Sequence, residues 1–326
     1  MKTKYDVVPG KSWGSMDADA QVEWSGLNCD KFFSAAENMM DTWKTKGCDV
    51  VFTKLRMDSN QISKCEPPKK SVKQPLIAIL AGTTSRKMKD PNINMMSLFT
   101  YLFPSLIRSL DCGFNYMFVL GYDKGDKFYD NEKGMKEVKD WFDKNVKKVL
   151  KDNGMSITLM PVKINNSIKK PGPVFIGMAR AAYEAGADYF YRINDDTEIA
   201  GHWPKVFVNS LMSLPAPHGV VGPTCKQGNQ GILTHDFVHR THMEIFEMNY
   251  YPPELVDWWM DDWISIVYGY KRTFEAKQSP VVHHTGAHGQ RYEVDRDNFK
   301  RLSGLVKDGR ERIRRWMLKH NTSAEQ

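Results

Sequence analysis

Apolar positions along the chain follow two different periods, and segments of the two kinds alternate from about residue 76 onward. Short, mainly apolar segments typical of strands occupy residues 76–81, 116–120, 156–162 and 189–194, and the first of them is a continuous apolar run that predicts a buried strand. Apolar residues at helical spacing occupy the intervening segments 95–110, 132–151 and 174–185. This alternation predicts an α/β fold with a mainly parallel, Rossmann-type sheet flanked by helices.

Beyond Pro204 the regular alternation weakens, and the remaining elements predict a mixed subdomain. The expected elements are a helix over 206–214, a strand over 219–222, a polar loop over 226–231, a helix over 237–248, an aromatic segment over 258–263, a strand ending at 284 and a basic helix over 310–319.

The N-terminal part has a different pattern. Five apolar residues within 30–46 recur at helical spacing and predict an amphipathic helix: Phe32, Phe33, Ala36, Met40 and Trp43. Residues 65–75 are rich in proline and lysine and have no period, which is typical of a linker. We therefore divide the chain into an extension with its linker (1–74) and two halves of a main domain, 75–200 and 201–326.

Composition excludes several classes of protein. With 41% hydrophobic residues among 326, the chain can bury a sizeable core. Its net charge of +7 comes from 46 basic and 39 acidic residues that are mixed rather than blocked, without an arginine-rich run among aromatics, so we expect no nucleic-acid partner. No window approaches the roughly 18 apolar residues that a membrane segment requires.

The cysteines bear on the compartment. They are odd in number, widely spaced and without a CxxC pair, which disfavours a zinc cluster: Cys29, Cys48, Cys65, Cys112 and Cys225. Two locations stay open. The chain works in the cytoplasm, or it is a lumenal fragment of a longer membrane-anchored protein, in which case the sequons at Asn165 and Asn321 become relevant.

Adjacent carboxylates, Asp195 and Asp196, follow the fourth predicted strand directly. Ligands of open α/β sheets bind beyond the carboxyl ends of the strands. Mg²⁺ and Mn²⁺ prefer oxygen ligands and can bridge carboxylates to a diphosphate. The pair therefore indicates a metal and phosphate site, although acids also close turns and cap helices.

The loops after the first two strands supply further polar groups at the same edge. Thr83, Thr84 and Arg86 follow the first strand, and Asp123 follows the second, where a carboxylate can accept bonds from a base NH or a ribose hydroxyl. The segment 82–86 lacks a P-loop lysine and the GxGxxG spacing, which disfavours ATP hydrolysis and dinucleotide redox chemistry.

Two short motifs resemble one enzyme family. Asn194-Asp195-Asp196 resembles the Glu-Asp-Asp form of the DxD motif in Golgi N-acetylglucosaminyltransferases, which are nucleotide-sugar-dependent glycosyltransferases of the GT-A fold. It departs from that form by Asn at the first position. Trp259-Met260-Asp261-Asp262-Trp263 is similar to the Trp-Asp-Asp-Trp stretch that carries their catalytic base. Together the motifs cover about a tenth of the chain.

The resemblance implies a GT-A-like fold, a UDP- or GDP-linked sugar as donor, Mn²⁺ or Mg²⁺ as cofactor and a carbohydrate hydroxyl as acceptor. Asp196 would coordinate the metal, and Asp195 would hold the ribose or a metal-bound water. Asp262 would be the base of an inverting transfer, with Asp261 as the alternative. A retaining transfer needs no such base, and both acids could simply favour a helix start.

Three histidines lie close together after the apolar strand that ends at 284, namely His283, His284 and His288. In several GT-A families a C-terminal histidine is a further metal ligand, and the resemblance implies His284 or His288 for that role. Arg291 has the fork geometry that binds a diphosphate.

The half 75–200 would thus bind the nucleotide sugar, and the half 201–326 would carry the base and the acceptor. An aromatic wall with a polar rim would suit a carbohydrate acceptor: Trp258, Trp259, Trp263, Tyr250 and Tyr251, with Asn229, Gln230 and His235. Two alternatives stay open, a non-catalytic carbohydrate-binding protein and a sugar-1-phosphate nucleotidyltransferase, although the latter's glycine-rich opening loop is missing.

Overall fold

Eight strands form one sheet in the computed structural model, which describes residues 62–66, 73–287 and 291–320. In chain order the strands are β1 (Leu76–Thr83), β2 (Asn115–Asp123), β3 (Ser156–Ile164), β4 (Tyr189–Asn194), β5 (Thr197–Ile199), β6 (Val220–Cys225), β7 (Asp236–His239) and β8 (Thr273–His283). Their order across the sheet is β3-β2-β1-β4-β7-β6-β8-β5.

The first four strands of that order pair in parallel, and the other half is mixed. There β7 runs antiparallel to both β4 and β6, β8 is parallel to β6, and β5 is antiparallel to β8. The sheet therefore confirms the predicted α/β class, a mainly parallel GT-A-like sheet flanked by helices.

Helices cover both faces of the sheet. In chain order they are α1 (Phe103–Ser109), α2 (Glu132–Phe142), α3 (Lys148–Asp152), α4 (Pro171–Glu184), α5 (Pro204–Met212), α6 (Thr241–Ile245), α7 (Trp259–Val267) and α8 (Phe299–Lys319). A π-helical segment, Leu98–Leu102, leads into α1, and another, Asp143–Lys147, joins α2 to α3.

Each face buries its own core, because alternate residues of a strand point to opposite faces. Ile77 and Ile79 of β1 pack with α1, α2, α3 and α5, whereas Ala78 and Leu80 pack with α4, α6, α7 and α8. The apolar character of β1, β2 and β4 therefore reflects burial on both sides, whereas β3, at the edge of the sheet, is mostly half-buried.

One predicted element is wrong and one was not foreseen. Residues 237–248 were expected to form a helix, but β7 occupies Asp236–His239 and only Thr241–Ile245 is helical. Phe237 and Val238 are buried on opposite faces of the sheet, which is the alternation of a strand. The unforeseen strand β5 follows the acidic turn directly and pairs with the end of β8.

The helix predicted over 30–46 lies outside the described residues, and so does most of the extension over 1–74. At its edge, Cys65 forms a disulfide with Cys112, and its backbone N–H donates to the carbonyl of Asn153 at 2.9 Å. Part of the predicted linker is therefore fastened to the sheet unit. Across the parts of the chain that the structure describes, no helix combines the length and apolarity needed to cross a bilayer.

Candidate active site

A cleft of about 420 Å³ lies at the carboxyl edge of the parallel strands. The register places Gly82 of β1 beside both Gly121 of β2 and Asn194 of β4, so the residues that follow these positions meet at one edge. Of the predicted site residues, these line the cleft: Thr83, Thr84, Arg86, Asp123, Asp195, Asp196, Asp261 and Arg291. Asp262 and His284 are not among its lining residues.

Asp195 is held firmly by protein groups. Arg291 donates to its two carboxylate oxygens from Nη1 and Nη2, at 2.7 and 2.6 Å, and Thr83 Oγ1 donates to Oδ2 at 2.9 Å. Thr83 lies in turn 3.0 Å from the buried Tyr129 hydroxyl. With both oxygens engaged, Asp195 ties the ends of β1 and β4 to the segment that carries Arg291.

Asp196 faces different partners. Its Oδ1 lies 3.0 Å from His283 Nε2, and its Oδ2 lies 3.6 Å from Arg291 Nη2. Burial opposes ionisation of this carboxyl, but His283 and the Arg291 charge outweigh burial and lower its pKa below the ordinary value. Asp196 is therefore an anion that is only 8% exposed.

The pair Asp196 and His283 fits a divalent cation in donor type. Asp196 Oδ1 is buried without a regular hydrogen-bond partner, and an imidazole nitrogen lies beside it. Among the described residues no group of three or more His, Cys, Asp or Glu could hold a metal ion. Further ligands would have to come from water and from a diphosphate, as is usual for Mg²⁺ sites.

The histidines named from the sequence lie elsewhere. The ring of His284 stacks on Tyr101 with centroids 3.9 Å apart, and its Nε2 lies 3.2 Å from Glu198 Oε2. His288 lies outside the described residues. The better-placed imidazole is His283, the preceding residue, which we did not select from the sequence.

The loops after β1 and β2 are linked by Arg86 and Asp123. Arg86 Nη2 donates to Asp123 Oδ2 at 2.6 Å, and Asn166 Nδ2 donates to Asp123 Oδ1 at 2.8 Å. Arg86 Nη1 also donates to the carbonyls of Lys169 and Arg291. One guanidinium therefore connects three loops of the cleft.

Thr84 points to another acid. Its hydroxyl donates to Asp126 Oδ2 at 2.9 Å, and Asp126 also accepts from the backbone N–H and the hydroxyl of Ser85. Asp126 therefore fixes the loop after β1, which is a role that the sequence did not indicate.

The cleft contains more cationic side chains than the sequence had led us to expect. Lys169, Lys170 and Arg192 line it together with Arg86 and Arg291. Helix α4 begins at Pro171, so its dipole adds to the attraction for anions, although Pro171 and Pro173 have no N–H and the Gly172 N–H donates to the carbonyl of Val256 at 2.8 Å. In the sequence, the Lys169-Lys170 pair before a helix-starting proline was the signal for this charge.

The two candidate bases differ in position. Both lie in the first turn of α7, but only Asp261 lines the cleft, where Arg192 Nη2 donates to its Oδ1. Burial raises the pKa of Asp261 to about 7 and that of Asp262 to about 6. For Asp261 the nearby Arg192 charge acts against burial without cancelling it.

A buried polar network holds Arg192 itself. Its Nη2 lies 2.8 Å from Asp236 Oδ2, and its Nε donates to the Tyr251 hydroxyl at 2.8 Å. The Tyr250 and Tyr251 hydroxyls donate to the Asp236 carboxylate at 2.7 and 2.6 Å. Asp236 and Asp261 thus share one guanidinium, which leaves negative charge in excess and is consistent with the raised pKa of Asp261.

The predicted aromatic wall is only partly present. Trp258 lines the cleft and is 46% exposed, whereas Trp263, Tyr250 and Tyr251 are buried in the core. His235 is fully buried with Nε2 2.7 Å from Thr197 Oγ1. Tyr292, beside Arg291, supplies a second aromatic ring to the cleft. Asn229 and Gln230 do not line it.

Comparison with known proteins gives no family. No protein-family model and no curated protein sequence matches the chain. Similar solved structures include S. aureus TarS 1–349 with UDP-GlcNAc, at 12% identity and a TM-score of 0.41, covering 72% of this chain and 66% of that one. S. aureus TarS 1–349 with UDP has 11% identity and a TM-score of 0.40, covering 72% and 64%.

The longer S. aureus TarS structure has 11% identity and a TM-score of 0.40, covering 71% of this chain and 38% of that one. The chain thus spans less than two thirds of the length of the TarS structures it resembles. Similarity this low assigns no activity, and the function has to be argued from the cleft itself.

Proposed function

We propose that the protein is a metal-dependent glycosyltransferase that moves a sugar from a nucleoside-diphosphate sugar to a carbohydrate hydroxyl. The observation that carries this proposal is the cleft at the carboxyl edge. There an ionised Asp196 beside His283, several cations and a carboxyl with a pKa of about 7 surround one volume. A diphosphate needs the first two features, and the attack of a hydroxyl group needs the third.

For the donor, Asp196 and His283 would hold Mn²⁺ or Mg²⁺. When bound, the metal neutralises charge on the departing diphosphate. Lys170 lies at the same cleft and would bind the phosphate oxygens, and the dipole of α4 would favour their negative charge. The Arg291 guanidinium, paired with Asp195, would position the acidic turn and contact a phosphate from its remaining edge.

The nucleoside would lie against the loops after β1 and β2. Thr83, Thr84 and Asp123 line that part of the cleft, and Arg86 fixes their loops together. Because the side-chain oxygens of these residues already accept or donate within the protein, the base and ribose would be read largely by backbone groups and by free lone pairs.

For the transfer we propose Asp261 as the general base, ahead of Asp262. Asp261 would take the proton from the acceptor hydroxyl as the oxygen attacks the anomeric carbon, which gives inversion. Arg192 keeps its carboxylate oriented toward the cleft. Trp258 and Tyr292 would offer flat faces to the acceptor sugar.

Calorimetry with UDP, GDP and UDP-GlcNAc tests the donor site, each in Mn²⁺ and in EDTA. We expect binding that requires metal, and Asp196→Asn should weaken it by about 10- to 100-fold because it removes a ligand charge. Asp140→Asn, an exposed acid of α2, is the control and should bind as the wild type does. Unchanged Mn²⁺-dependent affinity in Asp196→Asn would contradict the proposed metal site.

A glycan titration and a pyrophosphate-release assay, added to these measurements, separate the alternatives. A non-catalytic carbohydrate-binding protein would bind glycans without metal-dependent affinity for a nucleotide. A nucleotidyltransferase would release pyrophosphate from a nucleoside triphosphate and a sugar 1-phosphate, and a glycosyltransferase would not.

A further inference from the structure

A second concave surface, the basic groove, lies away from the acidic turn. It is a volume of about 710 Å³ between the end of α7, the turn Tyr270–Arg272 and helix α8. Five cations line it, namely Lys271, Arg272, Lys307, Arg310 and Arg314, against two acids, Asp308 and Glu311. The proposed transfer chemistry uses none of these residues.

Helix α8 concentrates the positive charge of the chain. Its 21 residues carry eight Lys and Arg against two Asp and Glu, a net charge of +6, and the whole sequence has a net charge of +7. Lys307, Arg310 and Arg314 follow helical spacing and so share one face. The neighbouring face, about 90° away around the helix, buries Leu302, Val306 and Ile313, whereas Lys307, Arg310 and Arg314 are exposed at its margin.

An exposed aromatic residue accompanies the charge. Tyr270 lines the groove and is 73% exposed, which makes it the most exposed large hydrophobic residue among the described residues. Guanidinium groups bind carboxylates and sulfates through paired hydrogen bonds, and an aromatic ring stacks on the C–H face of a sugar. A bilayer is flat, whereas this surface is concave and would enclose a chain.

We propose that the basic groove binds a polysaccharide chain of anionic sugars carrying carboxylate or sulfate groups. Helix α7 connects the two surfaces, since Asp261 lines the cleft and Val267 lines the groove. Six residues of helix separate them by about 9 Å along the axis. The identification of the bound chain as the acceptor rests on the proposed function.

Fluorescence anisotropy with a labelled heparin hexasaccharide tests the groove without any nucleotide or metal. The triple variant Lys307→Gln, Arg310→Gln, Arg314→Gln should bind about tenfold more weakly, and the wild-type affinity should fall as salt rises. The control removes three exposed lysine charges from the α2 region, with Lys133→Gln, Lys139→Gln and Lys144→Gln, and should change affinity less than about twofold.

Two further measurements guard the interpretation. Arg310 donates to the carbonyl of Ile266, so the single change Lys307→Glu repeats the test where no described side-chain bond is lost. Tyr270→Ala should weaken hexasaccharide binding and leave binding of inorganic polyphosphate unchanged. Equal losses in both triple variants, equal effects of Tyr270→Ala on both probes, or binding only to phosphatidylserine vesicles would overturn the proposal.

The outcome is independent of the nucleotide titrations. If the protein does not bind the hexasaccharide but still binds UDP or GDP in a metal-dependent way, only the proposal for the basic groove is rejected. If the protein binds the hexasaccharide but no nucleotide, the proposed transferase function is rejected, and the basic groove remains as a surface that binds anionic glycans.

Discussion

Two pairs of adjacent aspartates, Asp195 with Asp196 and Asp261 with Asp262, have the same side chain but different surroundings. Asp195 is paired with Arg291 and accepts a hydrogen bond from Thr83, whereas the buried Oδ1 of Asp196 has only His283 beside it, at 3.0 Å. On α7 the same division separates Asp261, at the cleft, from Asp262, away from it. Successive helical residues point about 100° apart, so one of two adjacent acids can face a substrate while the other faces the protein.

Because only Asp261 lines the cleft, the same substitution should have a large effect at Asp261 and a small one at Asp262. Asp261→Asn should lower kcat by about 10²- to 10⁴-fold because the amide cannot accept the proton, and it should leave the affinity for a nucleotide in Mn²⁺ intact. Asp262→Asn removes the same charge one position away and should keep most of the turnover. Steady-state transfer assays on both variants measure this, and full activity of Asp261→Asn would exclude it as the base.

The pH dependence of kcat should also depend on Asp261. A base works only when ionised, and burial raises the pKa of Asp261 to about 7, so kcat should rise as the pH increases through about 7. The rising limb should persist in Asp262→Asn. If that limb shifts or disappears in Asp262→Asn instead, the first choice made from the sequence, Asp262, is the base.

At the scale of elements, close packing under the cleft depends on glycine. A Cβ added at Gly121 of β2 would lie 2.5 Å from Met178 Sδ and 2.7 Å from Val174 Cγ1, both on α4. Helix α4 therefore approaches β2 at this level because the strand has no side chain there. The approach also sets the height at which the N-terminus of α4 meets the phosphate side of the cleft.

Two glycine substitutions should therefore act with opposite sign. Gly121→Ala should destabilise the fold by about 1–3 kcal/mol, because α4 has to move or strain. Gly304→Ala, at an exposed position of α8 where a Cβ meets nothing within 4 Å, should stabilise it by up to about 1 kcal/mol. Urea unfolding followed by circular dichroism measures both, and equal stability of Gly121→Ala and wild type would contradict the packing argument.

How far the elements follow from sequence depends on length and environment. Strands β1 to β4 are mainly apolar segments of six to nine residues separated by helical patterns, and their order along the chain predicts both the sheet and its ligand-binding edge. Strand β7 has four residues, too few for a local pattern to separate it from the helical residues that follow. Its pairing between β4 and β6 decides its structure, and a pairing partner is not visible in a local pattern.

The same limit explains the choice of histidine. Successive residues at the end of a strand point to opposite sides, so His283 and His284 cannot both face Asp196. Which one does is set by the pairing of β8 with β5, where Thr197 lies opposite His283. Sequence reasoning located the histidine cluster but had no access to that register.

For the molecule as a whole, the disulfide between Cys65 and Cys112 links the segment before β1 to the loop between α1 and β2. Ser63 adds a hydrogen bond from its hydroxyl to the carbonyl of Leu110, at 3.0 Å. The sequence left a cytoplasmic and a lumenal location open. Because structural disulfides persist in oxidising compartments, this bond favours the lumenal alternative as a hypothesis.

Removing the bond tests that hypothesis together with its energetic effect. Cys65→Ser with Cys112→Ser opens a loop closed over a separation of 47 residues and should lower the free energy of unfolding by about 2–5 kcal/mol, since the unfolded chain gains freedom. In reductant the wild type should lose the same amount, which controls for the substitutions themselves. Peptide mapping of protein secreted from a eukaryotic cell should recover the two cysteines as one linked pair. Recovery of both as free thiols would contradict the bond, because the secretory pathway is oxidising, and would leave only the packing of residues 62–66 to fasten this end.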